Sequence, residues 1–397
     1  LISGKIMSEW KTYQLGELLE VKYGKDHKAL AEGKIPAYGS GGIMRYVDKA
    51  IYDEVSILIP RKGSLNNIYY LDKPFWTVDT MFWTKVNQKL VDPKFLYYKL
   101  TTFNYAEMNV GSAVPSMTVP VLNEIEIVAP DLKTQQRIAS ILSSLDDAIE
   151  LNQQINKTLE EMAKAIFKEW FVDFNFPNAT GKFQETEIGK IPVGWKVATF
   201  EDVFDADRGL SYKGAGLAES DATPMHNLNS VLEGGGYKTI GIKYYSGEFK
   251  DKHIVNAGEV IVANTEQGHK YLLIGYPAIV PQFYGEHGIF SHHIYRLRPK
   301  PNCHLSPDFI YHLLLQTQVR EQVIGFANGT TVNMLKIEGL KKPKFAMPPK
   351  ELAEKFGAIA QANRLQAEQN IEENQSLMNL RDTLLPKLMK GEININL

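Results

Sequence analysis

The stretch IASILSSLDDAIELNQQINKTLEEMAKAIFKEW, residues 138–170, decides the reading of the whole chain. Its packing residues fall alternately four and three apart: Ile138, Leu142, Leu145, Ile149, Asn152, Asn156, Leu159, Ala163, Ile166 and Trp170. This spacing predicts a heptad seam on one long helix, roughly 50 Å at 1.5 Å per residue. A shift of 218 residues carries the seam onto Phe356, Ala360, Asn363, Ala367, Asn370, Asn374, Leu377, Arg381, Leu384 and Leu388. Asn152 and Asn156 thereby fall on Asn370 and Asn374. Asparagine in a seam costs stability but fixes register, because an Asn facing an apolar residue loses its hydrogen bond. Antiparallel pairing sets Asn152 against Asn374 and Asn156 against Asn370. Two amphipathic helices packed separately, each on its own domain, would show the same periodicity.

The repetition extends beyond the helices. Trp10-Lys11 before Leu15-Gly16-Glu17-Leu18 recurs as Trp195-Lys196 before Phe200-Glu201-Asp202-Val203, at an offset of 185. The run Val55 to Ile59 with Pro60-Arg61-Lys62-Gly63 is matched by Val260 to Ala263 with Thr265-Glu266-Gln267-Gly268. Asp92-Pro93-Lys94-Phe95 corresponds to Ser306-Pro307-Asp308-Phe309, and Gly111-Ser112-Ala113-Val114 to Gly329-Thr330-Thr331-Val332. The offset only grows, so the second copy has gained residues, most of them between about 205 and 260. Each half reads as a mixed domain followed by a long helix. β-Branched and aromatic runs such as Ile57 to Ile59, Ile68 to Leu71 and Glu124 to Val128 predict strands; Phe95 to Phe103 and Phe309 to Val323 predict short helices opened by proline. Pro130 and Pro348 close the domains. The expected fold is α+β: two similar mixed domains joined by two long antiparallel helices in a coiled coil, a tandem repeat of pseudo-twofold character. The expected boundaries are a first domain at 7–130, a helix at 131–176, a linker at 177–187, a second domain at 188–347 and a second helix at 348–392, which bends or ends near Pro386. Met7 is the expected start, with Leu1 to Ile6 upstream of it.

Composition narrows the function. Hydrophobic residues make up 44% and charged residues 23%, the balance of a soluble globular protein. One cysteine, Cys303, allows no internal disulfide and suits a reducing, cytoplasmic setting; no apolar run approaches a membrane span. The net charge of -2 hides a split: residues 7–130 carry 14 Lys+Arg against 14 Asp+Glu and 188–347 carry 17 against 15, whereas 131–187 carry 6 against 10. The domains, not the helices, are the candidates for an anionic partner. Catalytic signatures are missing. There is no phosphate-binding loop, and Gly39-Ser40-Gly41-Gly42 and Lys213-Gly214-Ala215-Gly216 read as turns. Pro348-Pro349 lacks the acidic or Asn residue and the aromatic that an adenine methyltransferase needs around such a pair, and Asp92 reads as a helix cap rather than a metal ligand. No metal site and no nucleophile is expected.

A domain, a proline, a long helix, and the same again resembles the specificity subunit of type I restriction-modification systems. The resemblance is carried by Pro130-Asp131-Leu132-Lys133-Thr134-Gln135-Gln136-Arg137-Ile138-Ala139, close to the family's helix start with Gln135 where a Glu is preferred, by Arg61-x-Gly63 after a strand, and by Gly111-Ser112 before a polar turn. It implies two target-recognition domains, each reading one half of a bipartite, asymmetric DNA target. It further implies a helical spacer docking two modification subunits, which bring S-adenosylmethionine and the catalytic site, and possible restriction subunits. This chain would then hold no cofactor of its own. Arg61, Lys62, Ser64, Asn66, Ser112 and Ser116 are the expected DNA contacts of the first domain, since Arg suits guanine, Asn suits adenine and small hydroxyl residues admit phosphates. Gln267, His269, Lys270, Asn328, Thr330, Thr331 and Asn333 are those of the second. Phe167, Trp170 and Phe171 are expected either to contact a modification subunit or to bury against the second domain. A coiled-coil scaffold binding other proteins is the alternative function.

Overall fold

The computed structural model describes residues 10–108, 115–268, 270–329, 332–393 and 395. The chain forms two compact units, and they are not successive halves: the first is Leu1–Leu151 with Asn374–Leu397, the second Asn152–Glu373. Each unit thus holds one mixed domain together with part of both long helices. Among the described residues no helix is long and apolar enough to cross a membrane.

In the first unit the strands are β1 (Lys11–Gln14), β2 (Leu19–Tyr23), β3 (Glu32–Gly39), β4 (Gly42–Val47), β5 (Ser56–Pro60), β6 (Tyr69–Leu71), β7 (Trp76–Thr77), β8 (Met81–Val86) and β9 (Glu126–Ala129). Helices α1 (Leu15–Leu18), α2 (Pro93–Thr101) and α3 (Val119–Asn123) join them. One sheet runs β2-β8-β5-β6, another β4-β3-β7, and β1 pairs with β9. All five residues of β5 are buried, which is why its sequence is a continuous run rather than an alternating one. Asp92 caps α2, its Oδ1 accepting from the Phe95 amide at 2.9 Å ahead of Pro93. The long helix α4 (Leu132–Phe167) starts at Asp131, whose carboxylate accepts from the Thr134 amide and hydroxyl at 3.1 and 2.7 Å. Gln135, 1% exposed, accepts from the Asp92 amide at 2.8 Å and donates to the Pro130 carbonyl at 2.8 Å. A glutamate there could take the first bond but would face the second carbonyl without a proton, so the departure from the family pattern is locally satisfied.

The second unit repeats the plan. Its strands are β10 (Phe183–Thr186), β11 (Gly189–Pro192), β12 (Lys196–Thr199), β13 (Phe204–Arg208), β14 (Leu217–Ala218), β15 (Thr223–His226), β16 (Lys243–Tyr245), β17 (Ile254–Asn256), β18 (Val260–Ala263), β19 (Thr265–Gln267), β20 (Pro277–Ile279), β21 (His287–Phe290), β22 (Ile294–Pro299), β23 (Ala327–Asn328), β24 (Val332–Leu335) and β25 (Lys344–Met347). The order β13-β22-β18-β20 repeats β2-β8-β5-β6, β12-β25 repeats β1-β9, and β16-β15-β21 repeats β4-β3-β7, with β14 added at one edge and β17 extending what is a single Tyr52–Phe75 bridge in the first unit. The expected helix from Phe309 to Val323 is broken into α6 (Pro307–Leu314) and α7 (Thr317–Ile324), after α5 (Phe200–Val203). Ser306 caps α6 as Asp92 caps α2, its Oγ accepting from the Phe309 amide at 3.1 Å.

The second long helix, α8 (Lys350–Met389), continues through Pro386 and stops before Gly391, whose φ of 72° only glycine adopts freely. It runs antiparallel to α4 in both units. Within the second unit Asn370 donates to Asn156 Oδ1 at 2.7 Å, Asn156 to the Ala367 carbonyl at 3.2 Å, Asn363 to the Leu159 carbonyl at 3.1 Å, and Asn152 to Glu373 at 3.0 Å. Within the first, Asn374 donates to the Ile149 carbonyl at 3.4 Å and Arg381 pairs with Asp146 at 2.8 Å. The seam asparagines therefore bridge the two helices, and a one-residue slip would strand them buried.

Candidate nucleic-acid interface

In the first unit, four segments meet where β5 ends. The Arg61 amide donates to the Thr80 carbonyl at 2.8 Å, and its own carbonyl accepts from Met117 at 2.9 Å. Lys62 bridges to Ser116, and the Gly63 amide reaches the Pro115 carbonyl at 3.0 Å. Gly63 has a φ of 86°, and a Cβ there would stand 2.9 Å from Ser40 Oγ, so this turn requires glycine. The Arg61 guanidinium lies 5.3 Å over the Tyr23 ring and donates to the Asp79 carbonyl at 3.2 Å. Among the described residues no carboxylate pairs with Arg61 or Lys62, so the edge keeps its positive charge. Arg61, Lys62, Ser64, Asn66 and Ser116 are thus brought to one edge, with Lys62, Ser64 and Asn66 exposed. Ser112 lies outside the described residues.

Sequence reading missed two members of this edge. Asn67 donates to the Ser40 carbonyl at 2.8 Å, and the Ser40 amide donates to Thr80 Oγ at 3.3 Å. Ser40 occupies the tight turn between β3 and β4, which was legible as a turn but not as a neighbour of the 61–67 loop.

The second unit builds the same ladder from β19 and β24, pairing Thr265 with Met334 and Gln267 with Val332. Gln267, Lys270 and Asn328 are exposed; His269, Thr330 and Thr331 lie outside the described residues. Asn333 does not belong with them. It is 1% exposed, and its amide donates to the Gly268 carbonyl, so it pins the turn from inside instead of meeting a ligand. Glu266 is buried as well: its two oxygens accept from the Leu272, Leu273 and Ile274 amides, each at 2.9 Å. Register also corrects the alignment of the two loops. Ile59 faces Phe82 and Val262 faces Tyr295, while Tyr23 and Arg208 face those same partners, so the copies match here at an offset of 203 and not 205. The residue matching Arg61 is Asn264, whose amide donates to the His293 carbonyl at 3.1 Å as that of Arg61 does to Thr80.

Of the two places expected for the aromatic end of α4, the structure shows burial against the second domain for Phe167 and Phe171. Phe167 and Phe171 are 1% and 9% exposed and sit in the core of the second unit, where Phe167 packs edge-on against Phe309 and Phe356 at 5.1 and 5.2 Å. Trp170 is half-buried, with the Lys355 ammonium 5.8 Å over its ring. A widened π turn, Lys168–Val172, ends the helix inside this core. On the other side, Arg364 pairs with Asp308 at 2.8 Å and Glu368 at 2.7 Å, tying α8 to α6. The long helices are therefore structural parts of each unit.

The model of the type I restriction modification DNA specificity domain matches residues 7–161 and again 192–371. The MjaIX specificity subunit of Methanocaldococcus jannaschii is 24% identical over 432 residues, covering 99% of this chain and 95% of that one. The HindI specificity subunit of Haemophilus influenzae is 32% identical over 196 residues, 43% of this chain and 42% of that one. Among solved structures, the S subunit of a type I restriction-modification system from M. genitalium aligns over 98% of both chains with a TM-score of 0.66 at 17% identity, a likeness of fold. With two matched copies spanning most of its length, the chain belongs to the type I restriction-modification specificity subunit family.

Proposed function

We propose that this chain is the sequence-reading subunit of a type I restriction-modification enzyme, binding double-stranded DNA at a target of two unlike parts and recruiting the subunits that act on it. The observation that carries this reading is one ladder built twice, from residues 61–63 with the 115–117 segment and from β19 with β24, bearing different side chains. Two diverged copies of one reading edge suit two different half-sites. Arg61, Lys62, Ser64, Asn66 and Ser116 are the contacts of the first copy; the second copy presents other side chains at the matching edge, Asn328 exposed among them. Arginine at such an edge matches the paired acceptors of guanine, and lysine and hydroxyls match phosphate.

The helices α4 and α8, about 54 and 60 Å at 1.5 Å per residue for 36 and 40 residues, are the proposed spacer that sets the number of unread base pairs. The chain itself does no chemistry in this reading: two modification subunits supply S-adenosylmethionine and methyl transfer, and restriction subunits supply cleavage.

The test uses the chain copurified with its modification subunits and duplexes in which either half of the target is scrambled. Methyl transfer should need both halves, and binding should fall steeply as salt rises. Equal binding to scrambled and intact duplexes would overturn the proposal in favour of a protein scaffold.

A further inference from the structure

We propose that the second unit reads its half of the target with Arg208, backed by Lys243 and His292, and not with the 267–270 turn; the inference rests on the DNA-reading function above. Strand register fixes the correspondence. Tyr23 faces Phe82 as Arg208 faces Tyr295, and Ala37 faces Arg45 and Trp76 as Met225 faces Lys243 and Ile289. The Val78 amide donates to the Tyr38 carbonyl at 3.0 Å as Ser291 does to His226 at 2.9 Å, which sets His292 where Asp79 stands. Tyr23, Arg45, Arg61 and Asp79 of the first unit thus become Arg208, Lys243, Asn264 and His292. The Arg61 guanidinium reaches over Tyr23, at the end of β2; Arg208 grows from the matching end of β13. A guanidinium serves the same end of the sheet in both units, carried on different strands.

Accounting for every arginine of the second unit points the same way. Arg296 pairs with Asp207, Arg298 with Glu259, and Arg364 with Asp308 and Glu368, while Arg320 donates to the Ile274 and Tyr271 carbonyls. Arg208 is the fifth; it is exposed, and among the described residues its side chain makes no ion pair or hydrogen bond. Lys243 donates to the Tyr212 hydroxyl at 2.9 Å and meets no carboxylate among the described residues. The His292 and His293 rings lie 3.9 Å apart, and His293 Nδ1 is 3.1 Å from Thr265 Oγ at the start of β19. The Tyr212 ring that holds Lys243 lies 6.3 Å from that of His292, and burial first, then neighbouring His292, Arg208 and Lys243, holds the His293 imidazole below its ordinary pKa. Beside Gln267, in contrast, Asn333 holds the Gly268 carbonyl and the Glu266 carboxylate turns inward to the Leu272, Leu273 and Ile274 amides.

The planar fork of Arg208 suits the O6 and N7 acceptors of a guanine, and the Lys243 ammonium, held by Tyr212, suits a phosphate. The test measures methyl transfer and equilibrium binding by the complex of chain and modification subunits on duplexes with single base-pair changes in each half-site. Arg208→Ala should lose about tenfold to a hundredfold in discrimination at one base pair of one half-site, with the other half-site discriminated as before. Arg208→Lys should keep binding but not that discrimination. Lys243→Ala should weaken binding to all duplexes alike and lower the salt slope by about one. Gln267→Ala with Lys270→Ala should change discrimination by less than about twofold. Full discrimination by Arg208→Ala, its restoration by Arg208→Lys, or its loss in the double variant would each overturn the inference alone. A wild-type complex without sequence preference would overturn the DNA-reading function itself.

Discussion

The two units share a backbone ladder almost bond for bond, yet their side chains at its end behave oppositely. In the first, Arg61 turns outward over Tyr23; in the second, the matching Asn264 is buried with its amide on the His292 carbonyl at 3.0 Å, and Glu266 two residues later turns inward. The two copies keep what the main chain needs and differ in the side chains at the ladder's end. Glycine shows the conserved part: a Cβ on Gly24 would stand 2.0 Å from the Val78 carbonyl oxygen, and on Gly209 2.3 Å from that of Ser291. Both crossings exclude any side chain, whereas the charged positions around them changed partners.

The difference is broken most severely at Glu266. Three backbone amides depend on its carboxylate, and buried donors left without an acceptor cost about 1 to 3 kcal/mol each. Glu266→Ala should destabilise the second unit by roughly 4 kcal/mol. Hydrogen exchange should show residues 270–274 losing protection while the ladder at Arg61 keeps its own. Equal loss in both units would mean that the copies do not hold their edges independently.

Acid should separate the units next. Tyr38 and His226 occupy matching places, but His226 is 1% exposed and burial pushes its pKa down to about 4, with Nδ1 2.8 Å from the Tyr237 hydroxyl. The unfolded chain takes up that proton near pH 6.5, so between about 6.5 and 4 it binds more protons than the folded one. The stability that His226 contributes is complete above pH 6.5 and drains away as pH falls to about 4, on the order of 3 kcal/mol in all. Exchange-detected opening of the second unit should steepen through that window, and His226→Gln should flatten the curve. An unchanged slope in that variant would assign the acid sensitivity elsewhere.

Much of this was legible in the sequence because the chemistry is local or periodic. The seam asparagines, the caps at Asp92 and Ser306 before proline, and the doubled domain all follow from spacing alone. What failed had physical causes. Gly63 and Gly268 both end a loop, and matching them shifted Arg61 by two residues; only strand pairing fixes that register. Asn333 sits in a strand whose alternation is inverted, with Val332 and Met334 exposed at 44% and 41% around a buried amide, so polarity pointed to the wrong face. Phe167 and Phe171 did not fail but stayed open between two readings, because an apolar stripe does not say what covers it; the core of the second unit does. Arg208 went unnoticed because no motif surrounds it; its role shows only once the other arginines are paired.

A milder change sharpens the contrast by touching the first edge alone. Arg61→Ala removes a guanidinium that no carboxylate among the described residues balances, along with its contact to Tyr23. Discrimination at one base pair of the first half-site should fall by roughly 2 kcal/mol, about thirtyfold, with thermal stability within about 0.5 kcal/mol of wild type. Measured on duplexes altered one base pair at a time, the affected half should be the one that Arg208→Ala spares. If both variants relax the same half-site, the two edges do not read separate sequences.

The smallest expected effect tests whether the first edge is preorganised. Asn67 contributes no charge; its amide ties the 61–67 loop to the Ser40 carbonyl at the β3–β4 turn. Removing one exposed, neutral hydrogen bond costs about 0.5 to 1.5 kcal/mol, and here that cost falls on the loop and not on the core. Asn67→Ala should therefore weaken binding about threefold with the salt slope unchanged, since no phosphate contact is lost. The slope decides the interpretation: a shallower one would make Asn67 part of a phosphate-binding surface, while an unchanged one leaves it as the strut that keeps Lys62, Ser64 and Asn66 in place before DNA arrives.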